Sequence, residues 1–193
     1  MKKYIVEALG TGALTLAVGL SLVGIFPVPT PILAALTLGL FVYTIGHISG
    51  THINPAVTLG AWSIGKIETK TAMFYIVAQA VGAGIVMLFM SKFVTLPELT
   101  VSGEGVIGIA EFLGAFFFAF GIASVVYGKV LGALSGVVVG GSLLLGISIA
   151  GGLGSNGVLN PAVAFGIGSW GLMYVLGPIL GAICGMQAYK RLM

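Results

Sequence analysis

Apolar residues run along this chain in long unbroken blocks, each closed by glycine, proline or charge. No alternating strand pattern competes with them. The blocks cover residues 4–25, 30–49, 70–92, 105–127, 130–150 and 170–189. Each reaches the roughly 20 residues that a membrane-spanning helix needs. Pro27 and Pro29 part the first two, and Lys66, Glu68 and Lys70 precede the third. The stretch from Thr95 to Thr100, with Glu104, separates the third from the fourth, and a tight turn at Gly128-Lys129 parts the next pair. Two further apolar pieces, 50–65 and 151–169, are too short to span and are broken by Gly, Asn and Pro. Short interrupted segments at matching places in two halves of a chain predict half-helices that enter the membrane around a site.

Composition agrees with the pattern. Charged residues make up 7% of the chain and apolar ones 58%, against about 25% charged in a soluble domain. Such a chain cannot dress itself for water, and a helical bundle in lipid is expected. The 32 glycines point to helices packed backbone to backbone, because lipid gives little apolar push between helices. Its basic pI does not indicate nucleic acid, since the cations sit at the ends of apolar spans and not in one stripe. Cys184 is the single cysteine, which excludes an intrachain disulfide and a cysteine metal cluster. Lys2 and Lys3 before an apolar run imitate a signal peptide, but the run is long, contains Glu7 and lacks a clear cleavage site, so a retained span is expected. With an inside N-terminus, Lys2, Lys3, Lys66, Lys70, Lys129, Lys190 and Arg191 all fall on the cytoplasmic side and only Lys92 outside. That bias predicts that both termini are cytoplasmic, and a multi-pass protein of the cell or plasma membrane is expected.

The halves resemble each other. Glu7-Ala-Leu-Gly10 matches Glu111-Phe-Leu-Gly114, and Asn54-Pro-Ala-Val-Thr-Leu-Gly60 matches Asn160-Pro-Ala-Val-Ala-Phe-Gly166. Three spans per half force the second half to start from the opposite face. The expectation is one channel domain over 1–193, made of inverted repeats at about 1–93 and 105–193, with one short segment dipping in from each side.

Asn before Pro is a good helix start, because the Asn side chain caps free N–H groups and Pro at the first position loses no needed donor. Asn54-Pro55-Ala56 and Asn160-Pro161-Ala162 therefore each open a short helix. Symmetry sets the two openings against each other near mid-membrane, with both positive helix ends at the centre. The Asn amides can donate to a passing oxygen, and the helix ends raise the energy of a cation.

These motifs, together with Gly46-His-Ile-Ser-Gly50-Thr-His52-Ile-Asn54, Ala78-Gln79 and Gly177-Pro178-Ile-Leu-Gly181-Ala, resemble the aquaporin, or major intrinsic protein, family over nearly the whole chain. The resemblance implies an all-α membrane protein, an aquaporin-like bundle of six transmembrane helices plus two re-entrant half-helices. It implies a homotetramer in the lipid bilayer; passage of water or small neutral solutes is expected, with no cofactor. It also implies an acceptor ladder of loop carbonyls at Gly50, Thr51, His52 and Ile53 and at Asn156, Gly157, Val158 and Leu159. Glu7 and Glu111 are expected to hold those loops by accepting backbone N–H bonds. Family members usually carry Arg after the second Asn-Pro-Ala; here Val163 stands there. The other filter positions carry over as Ala34, Ser148 and Gly157. A filter of Ala, Ser, Gly and Val is expected to be wide and uncharged, and so to admit solutes such as glycerol or urea, unless Phe41, Tyr43 or Phe165 refills it.

Other assignments follow from single residues. His47 and His52 lack a third ligand for a metal, and His52 is expected near the inner pore mouth. The Gly132/Gly136/Gly140 and Gly177/Gly181/Gly185 series predict helix contacts. Tyr4, Trp62, Trp170 and Tyr174 are expected at the membrane interface. An intramembrane enzyme lacks support, for the chain contains no Asp and its two His flank one loop. A non-selective or ion-conducting channel and a closed structural membrane protein are the alternatives.

Overall fold

The computed structural model describes residues 1–24, 27–99 and 105–193. Ile25, Thr100 and Glu104, which enter the sequence assignments above, lie outside the described residues. The chain forms eight α-helices among those residues: α1 Lys2–Ser21, α2 Thr30–Ser49, α3 Pro55–Ser63, α4 Thr69–Met90, α5 Gly105–Val126, α6 Ser135–Gly152, α7 Pro161–Gly166 and α8 Leu172–Leu192. Six are long and apolar enough to cross a membrane, while α3 and α7 are short. The order long, long, short, long occurs twice.

Local chemistry explains where the helices differ from the apolar blocks. A turn through Gly24, at φ 86°, follows α1 before the block at 4–25 ends. The block at 130–150 begins as a 3-10 turn over Gly132–Leu134 before α6 starts. Gly132 therefore meets no neighbouring helix, contrary to the expected contact series. α6 then continues to Gly152, into the piece assigned to the second short segment, and leaves only Pro161–Gly166 helical there.

α1 packs along α4, α5 along α8, and α2 against α6. Backbones touch at these seams: Gly82 lies against Ala8, Gly181 against Phe112, Gly185 against Phe116, and Gly136 against Gly39. No side chain fits there. In Gly181→Val the new methyls meet the Phe112 carbonyl, and overpacking of this kind costs about 1–3 kcal/mol. The expected result is a lower unfolding midpoint for the purified protein in detergent, read by intrinsic fluorescence.

Leu9, Leu36, Leu88, Ile109 and Val137 point outward and are exposed, whereas Glu7, Thr11, Thr15, Thr58, Gln79 and Glu111 are wholly buried. Apolar outside and polar inside suits a bundle whose solvent is lipid. The buried polar residues gather around the connections before α3 and α7, which places the candidate site along the bundle axis.

Candidate functional site

Each short helix starts from its Asn. The Asn54 carboxamide oxygen accepts from Ala56 N at 2.8 Å. The Asn160 oxygen accepts from Ala162 N and Val163 N at 3.1 and 3.3 Å. These are N-cap bonds, with Pro55 and Pro161 at the first helical position. The amide nitrogens reach across the bundle: Asn54 Nδ2 donates to Leu159 O at 2.9 Å, and Asn160 Nδ2 donates to Ile53 O at 3.0 Å. The start of α3 is thus bonded to the loop before α7, and the reverse. An NH2 group carries two hydrogens, so each Asn keeps one donor beyond this reciprocal pair.

The loops before the caps share an unusual backbone. Thr51 and Ile53 have φ of 53° and 38°, and Gly157 and Leu159 have 63° and 55°. Left-handed backbone is uncommon for any residue with a Cβ and an outlier for a β-branched one. Each such residue costs roughly 1–3 kcal/mol and needs outside support.

Two buried carboxylates supply that support. Glu7 Oε1 accepts from Ser49 Oγ at 2.6 Å and His52 N at 2.9 Å, and Oε2 accepts from Ile53 N at 2.6 Å and Gln79 Nε2 at 2.8 Å. Glu111 accepts from Val158 N at 3.0 Å, Leu159 N at 2.7 Å and Ser155 Oγ. Among the described residues these partners are uncharged donors. Ser49 Oγ and Ser155 Oγ in turn accept from Thr51 N and Gly157 N at 3.1 and 3.0 Å.

Sequence reasoning did not reach several of these supports. Ser49 and Ser155 each stand five residues before their Asn, and that equal spacing was the available signal. Tyr75 donates its hydroxyl to Ser49 O at 2.8 Å, and Tyr174 OH accepts from Asn156 N at 3.1 Å. Tyr174 is 1% exposed. It supports a loop and is not an interface anchor, although Trp62 and Trp170 are exposed. Thr58 Oγ1 donates to Asn54 O at 3.0 Å, accepts from Gln79 Nε2 at 3.0 Å and lies 3.2 Å from His52 Nδ1. His47 is exposed at the end of α2, away from this network.

A cavity of about 420 Å³ opens beside the Asn pair. Ala34, Ser148, Gly157 and Val163 all line it, as do His52, Ile53, Asn54, Asn156, Val158 and Asn160. Leu159 is wholly buried beneath, while Gly50 and Thr51 line a second cavity of about 80 Å³ on the side of α3. Glu7 and Glu111 stand behind the loops. Phe41, Tyr43 and Phe165 do not line the larger cavity: Tyr43 OH donates to Ala133 O at 2.9 Å, and Phe165 packs against Trp170 at 5.6 Å. Leu99, from the connection before α5, does line it. Among the described residues the larger cavity carries the Asn54 and Asn160 side chains on its wall and no Asp, Glu, Lys or Arg.

Comparison with known proteins gives a consistent picture. The sequence model described as Major intrinsic protein matches residues 1–189. Aquaporin NIP1-1 of Arabidopsis thaliana is 30% identical, aligned over 98% of this chain and 73% of that protein. Nodulin-26 of Glycine max is 31% identical over 98% of this chain and 77% of its own length. The crystal structure of the aquaglyceroporin from Plasmodium falciparum superimposes with a TM-score of 0.74 at 20% identity, covering 98% of this chain and 93% of that one.

Proposed function

The chain belongs to the major intrinsic protein family and is a multi-pass membrane channel for water and small solutes, and from that premise we propose that its pore runs between Asn54 and Asn160 and carries neutral solutes wider than water. The observation that carries this reading is the reciprocal bonding of the two Asn side chains beside a cavity walled by Ala34, Ser148, Gly157 and Val163. Residues of about 1–93 and 105–193 act as inverted repeats of one channel domain, so that α3 and α7 enter from opposite faces. The bias of cationic residues supports cytoplasmic termini, and residence in the plasma membrane is part of the same reading. The exposed apolar faces of the bundle suit lipid and neighbouring copies in a homotetramer.

Transport is passive and runs in both directions. A solute exchanges bonds with water for bonds to loop carbonyls and to the free hydrogen of each Asn amide. One lone pair of Ile53 O and of Leu159 O already serves the opposite Asn, so the remaining pair of each and the carbonyls of 50–52 and 156–158 form the ladder. The positive ends of α3 and α7 oppose cations at the midpoint. With no Arg at position 163, they are the main barrier to ions. The Plasmodium falciparum relative is an aquaglyceroporin, which makes glycerol the first solute to try.

Stopped-flow light scattering of vesicles containing the purified protein tests this reading. Water-driven shrinkage and glycerol-driven swelling should each run at least fivefold faster than in empty vesicles, with no current above background in planar bilayers. Rates equal to empty vesicles for both solutes would remove the reading, and steady single-channel currents would favour the ion-conducting alternative.

A further inference from the structure

The larger and the smaller cavity have three residues in common: Leu38 of α2, His52 of the first loop and Phe118 of α5. These three residues stand between a cavity of about 420 Å³ and one of about 80 Å³. We propose that this collar of Leu38, His52 and Phe118 is the size-limiting constriction of the channel, in place of the ring of Ala34, Ser148, Gly157 and Val163. The proposal rests on the channel reading above and adds the place and chemistry of its selection.

Three observations support the assignment. The ring residues are small, and none of Phe41, Tyr43 and Phe165 lies in the cavity they line. The collar residues are bulky and held in place. Phe118 is 2% exposed and Leu38 3% exposed, both within the packed core. His52 is fixed on three sides: its Nδ1 lies 3.2 Å from Thr58 Oγ1, its ring meets Tyr75 edge-on at 5.2 Å, and its backbone N–H is bonded to Glu7 at 2.9 Å. Walls held this firmly do not step aside for a solute, as close-packed interiors transmit strain and do not flow.

The collar also has a chemistry. One wall is the polar edge of His52, and the other two are hydrocarbon. A solute with hydroxyls along one edge and C–H along the other satisfies both, so short unbranched polyols are the class that fits. Water passes because it is small. Broader solutes are turned back here even after they have crossed the open outer ring.

The test compares water, glycerol and erythritol flux in vesicles containing wild type, Phe118→Leu, or Leu38→Cys in a Cys184→Ser background. Phe118→Leu should raise erythritol flux relative to water at least fivefold. Leu38→Cys is a shrinking change that the fold should bear, and mercuric chloride should then cut its water flux at least fivefold, with recovery on adding a thiol. An erythritol-to-water ratio within twofold of wild type, together with mercury that leaves Leu38→Cys conducting fully, overturns the collar while leaving a working channel. Wild-type vesicles no more permeable than empty ones overturn the channel reading and the collar with it.

Discussion

Glu111→Ala is expected to abolish solute flux, to within twofold of empty vesicles, and to lower the unfolding midpoint measured in detergent. Val158 N, Leu159 N and Ser155 Oγ all donate to this carboxylate. Alanine leaves three buried donors without an acceptor, at about 1–3 kcal/mol each. It also removes what holds Leu159 in a left-handed conformation at φ 55°, where relaxation gains roughly 1–3 kcal/mol. Part of this is offset, because burying the carboxylate itself costs several kcal/mol. The offset applies to stability and not to pore shape. Once Leu159 turns, its carbonyl no longer meets Asn54 Nδ2, and the two helix starts lose one of their reciprocal bonds. Flux should therefore fall further than stability does. Glu7→Ala should behave alike, as Glu7 accepts from His52 N and Ile53 N. Fully active Glu111→Ala vesicles would show that the carboxylates do not shape the pore.

Val163→Arg is the second large expected effect, and it acts on selection. Val163 is 2% exposed by its own surface yet lines the wide cavity with Ala34, Ser148 and Gly157. A guanidinium there fills space and adds donors and a fixed cation. Glycerol flux should drop at least tenfold and water flux less than threefold, both read by stopped-flow light scattering of the same vesicles. An equal fall for both solutes would mean that the variant blocks the path without sorting molecules by size, and that the open-ring account is wrong. That result would also remove the first support for the collar at Leu38, His52 and Phe118, which is the openness of this ring.

The six spanning helices could be read from the sequence because their signal is length and apolarity, which lipid imposes on each span separately. The two helix starts at Asn54 and Asn160 were readable for a similar reason: a cap is decided by residues within one turn. What happened beyond one turn was less legible. The onset of α6 at Ser135 instead of near 130 depends on a 3-10 turn, and an apolar run says nothing of that geometry. Tyr174 looked like an interface aromatic because its place near a span end fits both roles; only the third dimension puts its hydroxyl against Asn156 N. The left-handed backbone at Thr51 and Ile53 had no local sign, for β-branched residues argue against it, and Glu7, far away in sequence, holds Ile53 N directly and Thr51 N through Ser49 Oγ. Leu38 and Phe118 were invisible for another reason. They are ordinary apolar residues within helices, and nothing but their position makes them face the path.

A cryo-EM map of the protein in lipid nanodiscs, at a resolution that shows ordered water, is the most direct check on the central claim. A file of water density should thread the bundle and pass within hydrogen-bond distance of Asn54 Nδ2 and Asn160 Nδ2, with α3 and α7 approaching from opposite leaflets. Helix starts that stand apart, share one leaflet or are sealed by side chains with no water between them would contradict it.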